Sequence, residues 1–296
     1  MGLDINAVRF LIDARRRGTE FGEVLTLGRQ DLNVFPAKLV QLFKSHGLPA
    51  DAFQGDDQVL YAEPCFLMLG ASKVFSMDAS KFEGATFIHD LNQPVDPALQ
   101  QRFGLVYDGG TLEHVFNFPM ALRNCMEMVK PGGHIIFHTG ANNWCGHGFY
   151  QFSPELFFRA LSPENGFQVT RMILHAVGPY GRWYEVADPN TIRSRVELVT
   201  CLPMQLLVQA KRTHVARIFE TVPQQSDYTP RWQPTAGTPA GNETGPRPLT
   251  YEPPRPKLAR AWPNVARLLH VIKIGLSMCR THTLRNRTNF RPVAKP

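Results

Sequence analysis

The sequence predicts an α/β fold, in which a mostly parallel sheet carries helices on both faces and is followed by a proline-rich linker and an amphipathic helix. Short apolar runs alternate with segments of helical periodicity, and this alternation requires parallel strands joined by crossover helices. The composition changes sharply near residue 220, where proline becomes frequent and aliphatic residues become rare. The chain of 296 residues is longer than a usual domain of about 100 to 200 residues, so we expect one large domain with appendages.

Seven strands are predicted from short apolar runs. In chain order they are Glu23 to Leu27, Lys73 to Met77, Thr86 to His89, Gly104 to Tyr107, His134 to His138, Phe167 to His175 and Gln205 to Ala210. The first two strands are separated by about 45 residues, whereas a simple crossover needs about a dozen. We therefore expect an inserted helix in this link, from Glu63 to Leu69.

Helices are predicted where apolar residues recur at helical spacing between a start and a stop signal. Pro36 suits a first helical position, and Gly47 suits the position just beyond a helix end. Ser153 and Asp188 carry oxygens that can accept hydrogen bonds from the free N–H groups of a first turn. The segment Lys130-Pro131-Gly132-Gly133 is expected to end a helix and reverse the chain. The predicted helices are Asp4 to Arg17, one between Pro36 and Gly47, Glu63 to Leu69, Phe118 to Val129, and two that begin after Ser153 and Asp188.

The end of the chain differs from the rest in composition. Ten prolines lie from Pro223 to Pro263 among Gly, Thr, Gln and Asn, a composition that buries too little apolar surface to fold. Apolar residues at helical spacing then predict an amphipathic helix from Asn264 to Met278, and Arg280 to Pro296 is expected to be a solvated basic tail. The predicted units are a helix at 1–20, a sheet domain at 21–215, a linker at 216–262, and the helix with its basic tail at 263–296.

The net charge of +7 is unevenly distributed. Residues 211–296 hold 15 Lys and Arg against 4 Asp and Glu, a charge of +11, whereas residues 1–210 hold 17 against 21, a charge of −4. Domains that bind nucleic acid through counterion release are basic over the folded surface itself. Because the basic charge here lies in the tail, we expect no nucleic-acid partner.

Several other protein classes are excluded by the sequence. No run approaches the roughly 20 apolar residues of a membrane-spanning helix. The five cysteines are scattered and never spaced as C-x-x-C, which indicates neither a disulfide framework nor a structural zinc site. The N-terminus lacks the basic and apolar stretches of a secretory signal. We therefore expect a cytoplasmic location.

Polar and glycine residues follow four predicted strands, at the sheet edge where ligands of open α/β sheets bind. Gly28 permits a tight turn and close backbone approach. Asp78 can accept hydrogen bonds from two ribose hydroxyls, and Asp90 can bind an adenine amino group. The fourth strand is followed by a flexible turn, Asp108-Gly109-Gly110-Thr111. Taken singly, Asp78 is better explained as a helix cap and Asp90 as a turn former, but together these positions favour one nucleoside site.

The same region resembles a known family. Val106-Tyr107-Asp108, then Leu112-Glu113-His114-Val115, and then Met128 to Ile136 with its Lys-Pro-Gly-Gly are similar to the "D…LEHV…LKPGG" signature of class I S-adenosylmethionine-dependent methyltransferases, particularly the ubiquinone-type small-molecule group. The resemblance covers roughly Phe21 to Arg212 and is most specific from Phe103 to Ile136.

The resemblance implies a Rossmann-like sheet of seven strands, parallel except for an antiparallel last strand, which would pair with Phe167 to His175. It also implies S-adenosylmethionine as cofactor and methyl transfer to a small or mid-sized acceptor, such as a saccharide, a lipid or a secondary metabolite. Its sulfonium is already activated, so positioning supplies most of the catalysis. The residues that the resemblance assigns to cofactor binding are Leu27, Gly28, Asp78, Ala79, Asp90, Leu91, Asp108, Gly109, Gly110 and Thr111.

The first loop departs from the family pattern. The family has G-x-G-x-G there, whereas this chain keeps only Gly28, followed by Arg29 and Gln30. These bulky side chains either narrow the pocket or contribute contacts to the cofactor carboxylate. The departure favours an alternative function, a catalytically silent binding or scaffold protein of the same fold. A nicotinamide dehydrogenase is a weaker hypothesis, because no G-x-G-x-x-G turn follows the first strand.

Candidates for acid–base chemistry lie near a glycine-flanked loop after the fifth predicted strand. His147 is a candidate catalytic residue, and the alternative is a loop histidine that caps a neighbour. Glu113, at the predicted start of a helix, is a second candidate, either as a base or as a weak metal ligand by the resemblance; no metal site is predicted. Asn143 and Tyr150 are candidate contacts to a polar acceptor, and the alternative is that they satisfy loop backbone.

The predicted C-terminal helix has an apolar side flanked by Lys and Arg. Such a helix can lie on an anionic membrane surface. Docking on its own domain or on a partner subunit is the commoner arrangement, and the sequence favours it. Residues 263–279 are therefore the expected contact surface for a membrane or for a protein partner.

Overall fold

The computed structural model describes residues 2–53, 61–179, 181–227 and 263–296. Within these residues, nine strands form one sheet. They are β1 (Gly22–Leu27), β2 (Ala71–Asp78), β3 (Phe87–Ile88), β4 (Phe103–Asp108), β5 (Val129–Asn142), β6 (Phe167–Ala176), β7 (Trp183–Val186), β8 (Met204–Arg212) and β9 (Phe290–Val293). The seven predicted strands are all present, and the sheet order is β3-β2-β1-β4-β5-β8-β6-β7-β9.

Strands β1 to β5 pair in parallel, and β8 lies antiparallel between β5 and β6. The two last predicted strands thus form the antiparallel closing pair. The prediction of seven strands was wrong, because β7 and β9 extend the sheet beyond β6 as antiparallel pairs. The prediction that Arg280 to Pro296 is entirely a solvated tail was also wrong. Phe290 is 1% exposed in the core, and this burial holds β9 on the sheet.

Helices cover both faces of the sheet. The helices of the described ranges are α1 (Ile5–Arg16), α2 (Pro36–Ser45), α3 (Glu63–Met68), α4 (Phe118–Met128), α5 (Pro154–Ala160), α6 (Pro189–Ile192) and α7 (Pro263–Thr281), of which α1 to α3 pack on one face and α4 and α5 on the other. Asp4 caps α1, because its Oδ1 accepts hydrogen bonds from the backbone N–H groups of Asn6 at 2.9 Å and Ala7 at 2.8 Å. The proline-rich linker predicted at 216–262 lies outside the described residues from position 228 onward.

Two hydrophobic cores lie on opposite faces of the sheet. Along β4, Val106 packs in the core with α4 and α5, whereas Leu105 and Tyr107 pack in the core with α1, α2 and α3. This alternation follows from the two-residue period of a strand. Helix α1 therefore shares a core with the sheet itself.

The chain passes from α4 directly into β5. Phe103 of β4 pairs with Val129, and Leu105 pairs with His134, so Lys130-Pro131-Gly132-Gly133 is an irregularity within β5. As expected, α4 ends at this segment, and the segment interrupts the pairing of β5 with β4. Buried Arg212 of β8 donates from Nη1 to the carbonyls of Met126, Glu127 and Val129, at 3.1, 3.1 and 2.6 Å. These bonds satisfy carbonyls that the end of α4 leaves free.

None of the helices in the described ranges has the length and apolar character that crossing a membrane requires.

Candidate functional site

The turn after β1 lies against the ends of β2 and β4. Gly28 has φ of +69°, a conformation that glycine adopts without strain, and its N–H donates to the carbonyl of Met77 at 2.7 Å. A Cβ atom built on Gly28 would lie 3.4 Å from Thr111 Oγ1 and 3.8 Å from Asp78 Oδ2. Thr111 also donates from its hydroxyl to the carbonyl of Leu27 at 2.8 Å. Four of the residues predicted to bind the cofactor therefore meet at one point.

Asp78 is half-buried at the end of β2, and its Oδ1 accepts a hydrogen bond from the backbone N–H of Ser80 at 2.8 Å. This bond forms a local turn, but Asp78 is not the helix cap of the alternative interpretation, because the described residues between it and β3 contain no helix. The other carboxylate oxygen, Oδ2, is the one near Gly28. Asp78 therefore combines a turn-forming bond with an oxygen close to Gly28, while neighbouring Ala79 is exposed.

Asp90 lies in an exposed loop that follows β3. Its carboxylate accepts hydrogen bonds from the backbone N–H and side-chain amide of Asn92, at 2.9 and 2.7 Å, and these bonds hold the pKa of Asp90 below its ordinary value. Neighbouring Leu91 is buried. A hydrogen bond connects the start of this loop to the end of β2: the backbone N–H of His89 donates to the carbonyl of Asp78 at 2.9 Å.

A buried amide that the sequence did not single out fixes this loop. Asn124 of α4 is fully buried and donates from Nδ2 to the carbonyls of Leu91 at 3.1 Å and Gln93 at 2.7 Å. Its Oδ1 accepts from the N–H of Val95 at 3.0 Å. One side chain thus sets the path of the loop that carries Asp90.

Gln30 occupies part of the hollow between the β1 and β4 turns. It is 4% exposed, and its Nε2 donates to the carbonyl of Leu27. Its Oε1 lies against the backbone of Gly109, in the place that a Cβ atom on Gly109 would need, and has no hydrogen-bond partner in the described part of the chain. Gln30, which stands where the family pattern has a glycine, therefore takes up space between the two turns. This agrees with the expectation that a bulky side chain here narrows the pocket.

The side chain of Arg29 contacts α3 and the loop after β2. Its Nε lies 2.6 Å from Glu63 Oε1, its Nη1 donates to the carbonyl of Glu83 at 3.1 Å, and its guanidinium lies 3.8 Å from the centre of the Tyr61 ring. Arg29 thereby connects α3 to the loop after β2. The guanidinium thus contacts three protein groups: the Glu63 carboxylate, the Glu83 carbonyl and the Tyr61 ring.

Asp108 ends β4 as a buried carboxyl group that is 1% exposed. Its Oδ1 accepts from the N–H of Thr111 at 2.9 Å, whereas Oδ2 is buried without a hydrogen-bond partner among the described residues. Burial, together with the nearby Glu113 carboxylate, raises the pKa of Asp108 to about 8. Burial therefore favours the protonated form of this carboxyl group. Gly109 and Gly110 follow it in the turn and are also buried.

Glu113 and His147 face each other across this end of the sheet. Glu113 is 1% exposed, its Oε2 accepts from the hydroxyl of Thr139 at 3.2 Å, and its Oε1 lies 3.8 Å from His147 Nε2. The loop after β5 reaches this position because the N–H groups of Phe149 and Tyr150 donate to the Glu113 carbonyl, at 2.8 and 3.2 Å. Burial raises the pKa of Glu113 above its ordinary value.

Glu113 and His114 do not begin an α-helix, as the sequence had suggested. They lie in a single 3-10 turn, Leu112–His114, and α4 starts four residues later at Phe118. The turn brings one ligand atom each from Glu113, His114 and His147 within 4.8 Å of one another. A carboxylate with two imidazoles is a donor set that divalent transition metals accept. These three residues could therefore hold a metal ion, although the sequence analysis predicted none.

The two candidate acceptor contacts use their polar atoms on loop backbone. Asn143 has φ of +59° and donates from Nδ2 to the carbonyls of Thr200 at 2.7 Å and Leu202 at 3.0 Å. Tyr150 donates from its hydroxyl to the carbonyl of Phe116 at 2.7 Å. Both side chains shape the loop that carries His147, and their arrangement matches the backbone alternative considered for them.

Comparisons with known proteins find similarity only among solved structures. No family model matches the sequence, and no curated protein matches it. The chain is similar to the N-methyltransferase NodS from Bradyrhizobium japonicum, solved with S-adenosyl-L-homocysteine, at 13% identity over 72% of this chain and 91% of that chain, with a TM-score of 0.39. It is similar to a putative methyltransferase from Bacillus halodurans at 11% identity over 70% and 99% of the two chains, with a TM-score of 0.36.

A third similar structure is the CMeT domain of citrinin polyketide synthase, at 13% identity and a TM-score of 0.35. The match covers 67% of this chain and 48% of that one, so this chain spans about half of the longer structure. The α/β class is nevertheless evident from the strand order and the helices on both faces described above.

Proposed function

We propose that this protein is an S-adenosylmethionine-dependent methyltransferase that acts on a small or mid-sized acceptor. The observation that supports the proposal is that Asp78 and Thr111, from the ends of β2 and β4, both lie close to Gly28 at the end of β1: a Cβ atom on Gly28 would be 3.8 Å from Asp78 Oδ2 and 3.4 Å from Thr111 Oγ1. Ligands of open α/β sheets bind at this edge. The neighbouring pair of Glu113 and His147 adds ionisable groups to the same edge.

The residues at this edge fit the cofactor on its ribose side. Asp78 Oδ2 would accept hydrogen bonds from the ribose hydroxyls, and Leu91, in the loop that Asn124 fixes, would border the adenine. The buried Asp108, with its unpartnered Oδ2, would face the methionine part. When bound, the cofactor supplies a sulfonium methyl group that is already activated for transfer, so the protein contributes mainly position.

The pair of Glu113 and His147 would serve an acceptor that must lose a proton. An imidazole at the acceptor can take this proton, and a carboxylate 3.8 Å behind it stabilises the cation that forms. Since Thr139 holds the other Glu113 oxygen, the carboxylate is fixed in place before any ligand arrives. In this proposal His147 is a catalytic residue and Glu113 is its positioning partner.

A second candidate function is a catalytically silent protein that binds or scaffolds through the same fold. The observation that favours it is Gln30, whose amide fills space between Gly28 and Gly109. A cofactor and this side chain compete for that part of the hollow. The two candidate functions therefore differ in whether the chain binds S-adenosylmethionine at all.

Thermal unfolding with and without S-adenosylhomocysteine separates the two functions. A ligand at 100 times its Kd adds roughly 2.7 kcal/mol to the free energy of unfolding. Asp78→Ala should weaken binding by about 1 to 3 kcal/mol, because ribose hydroxyls lose their partner. Asp96→Ala is the matched control, since Asp96 makes the same kind of turn bond, from the N–H of Ala98 at 2.9 Å, at another place on the surface. Equal loss of binding in both variants would remove Asp78 from the site.

Gln30→Ala completes the test. If the wild-type chain binds neither S-adenosylmethionine nor S-adenosylhomocysteine and Gln30→Ala binds both, the native protein is the silent form and Gln30 is the block. If neither protein binds them, the proposed cofactor is wrong. Binding by the wild-type chain, lost with Asp78→Ala, supports the methyltransferase.

A further inference from the structure

Helix α7 exposes a large apolar surface. Among its side chains that the structure describes, seven apolar residues each expose between 36% and 64% of their surface. They are Val265, Leu268, Leu269, Val271, Ile272, Leu276 and Met278. Apolar patches of this kind on a folded protein mark interaction surfaces. The docking on its own domain that the sequence favoured would have buried these side chains.

Five of the seven exposed apolar residues lie along one side of the helix, whereas Val271 and Met278 lie roughly 120° around the helix axis from them. Val265, Leu269, Ile272 and Leu276 follow one another at intervals of four, three and four residues, which places them in one row. Lys273 is exposed and lies off this row. A helix of 19 residues is about 28 Å long at 1.5 Å per residue, so the row is long enough to lie along an extended surface.

The charge of this part of the chain selects one kind of partner. Residues 263–296 contain seven Lys and Arg and no Asp or Glu. A second copy that packed through its own α7 would bring the same positive charge to the contact, and the two would repel each other. An anionic membrane surface attracts each nearby basic residue while its acyl region accepts the apolar row. Arg291 of this segment pairs with Glu185, but the segment keeps a net positive charge. The combination of an apolar row and net positive charge therefore favours a lipid surface over another copy.

The helix is attached firmly to the folded domain at its C-terminal end. His282 Nε2 lies 2.9 Å from Glu197 Oε2, and the carbonyl of His282 accepts from the N–H of Val199 at 2.6 Å. A few residues later, β9 pairs with β7. Binding of α7 to a surface would therefore bring the whole domain with it.

We propose that α7 binds the headgroup region of an anionic membrane, lying in the plane of the surface with its apolar row inserted. The proposal goes beyond the methyltransferase function and does not depend on it. It predicts that membrane binding needs both anionic lipid and the apolar row.

Vesicle flotation with the full-length chain tests the proposal. Vesicles of phosphatidylcholine with about 30 mol% phosphatidylglycerol should carry the protein upward, and vesicles of phosphatidylcholine alone should carry much less. Raising the salt to about 1 M, where the screening length falls to about 3 Å, should release a large part of the bound protein. Leu269→Gln with Leu276→Gln should reduce binding about tenfold or more, because two inserted side chains become polar.

A matched control places the same two changes elsewhere. Phe82→Gln with Val222→Gln replaces two exposed apolar residues outside α7, which are 92% and 67% exposed, and should leave binding unchanged. Three outcomes would overturn the proposal: no flotation with anionic vesicles, equal flotation with both vesicle types, or equal loss in the control. A concentration-dependent dimer that the α7 variant abolishes, without vesicle binding, would assign the row to a second copy. None of these outcomes bears on S-adenosylhomocysteine binding, which is measured separately.

Discussion

Asp108→Asn is expected to make the protein more stable at alkaline pH and to leave its stability unchanged at acidic pH. The Asp108 carboxyl is 1% exposed, and burial with the nearby Glu113 charge raises its pKa from 3.8 to about 8. Asparagine has nearly the same shape. Its side-chain oxygen can still accept from the N–H of Thr111, the bond that Asp108 Oδ1 makes at 2.9 Å.

The direction follows from the proton affinities of the two states. Below about pH 3.8 both the folded and the unfolded chain hold this proton, so the group does not affect the free energy of unfolding. As the pH rises, the unfolded chain loses the proton first, while the folded chain keeps it until about pH 8. Stability is lost over this window at about 1.4 kcal/mol per pH unit, with an upper limit of about 6 kcal/mol.

Urea unfolding of both proteins at several values between pH 4 and pH 8 measures the effect. The free energy of unfolding of Asp108→Asn, minus that of the wild type, should rise steadily with pH and reach several kcal/mol. Asp96→Asn, at an exposed turn, controls for the change of residue type and should show no such rise. Parallel pH profiles for Asp108→Asn and the wild type would refute the account of a buried, protonated carboxyl group.

Three further outcomes are expected. His175 is fully buried, and burial lowers its pKa from 6.5 to about 4. The free energy of unfolding should therefore fall as the pH drops from 6.5 toward 4. His175→Gln should reduce this fall, measured by urea unfolding, by at most about 3 kcal/mol. Asn124→Ala should lower the free energy of unfolding by about 2 to 4 kcal/mol, because it leaves three backbone groups of the 91–95 loop unpaired; an unchanged Tm would contradict this. His147→Gln should reduce turnover without changing the thermal shift with S-adenosylhomocysteine, and equal turnover would exclude His147 from catalysis.

The strands that the sequence predicted are those with continuous apolar runs. The two that it missed, β7 and β9, are only four residues long, and their pairing joins Trp183 to Val293 across more than 100 residues. In β9, Phe290 is held by packing in the core, while Arg291 and Pro292 are exposed at the sheet edge, where proline is tolerated. A basic segment containing proline gives no local signal of a strand, so only the tertiary contact decides it.

The parts of the candidate site whose positions follow from the backbone topology were predictable from the sequence. The parts whose positions depend on side-chain rotamers or loop contacts were not. The meeting of Gly28 with Asp78 follows from parallel strands that end at the same edge. The position of the Gln30 side chain at this edge depends on its rotamer. The sequence therefore did not decide whether this side chain narrows the pocket or contacts the cofactor carboxylate. His147 lies 34 residues after Glu113 in the sequence and approaches it because backbone N–H groups of the His147 loop donate to the Glu113 carbonyl. This arrangement has no sequence signature.

The position of β8 between β5 and β6 affects how the protein is made. On the ribosome, the roughly 60 residues from the end of β5 at Asn142 to the start of β8 at Met204 take about 3 to 12 seconds to synthesise. During this interval β5 has a partner on one edge only, and its other edge offers unpaired N–H and C=O groups. Nascent chains on neighbouring ribosomes can pair through this edge, so chaperone supply during translation should govern the yield of folded protein.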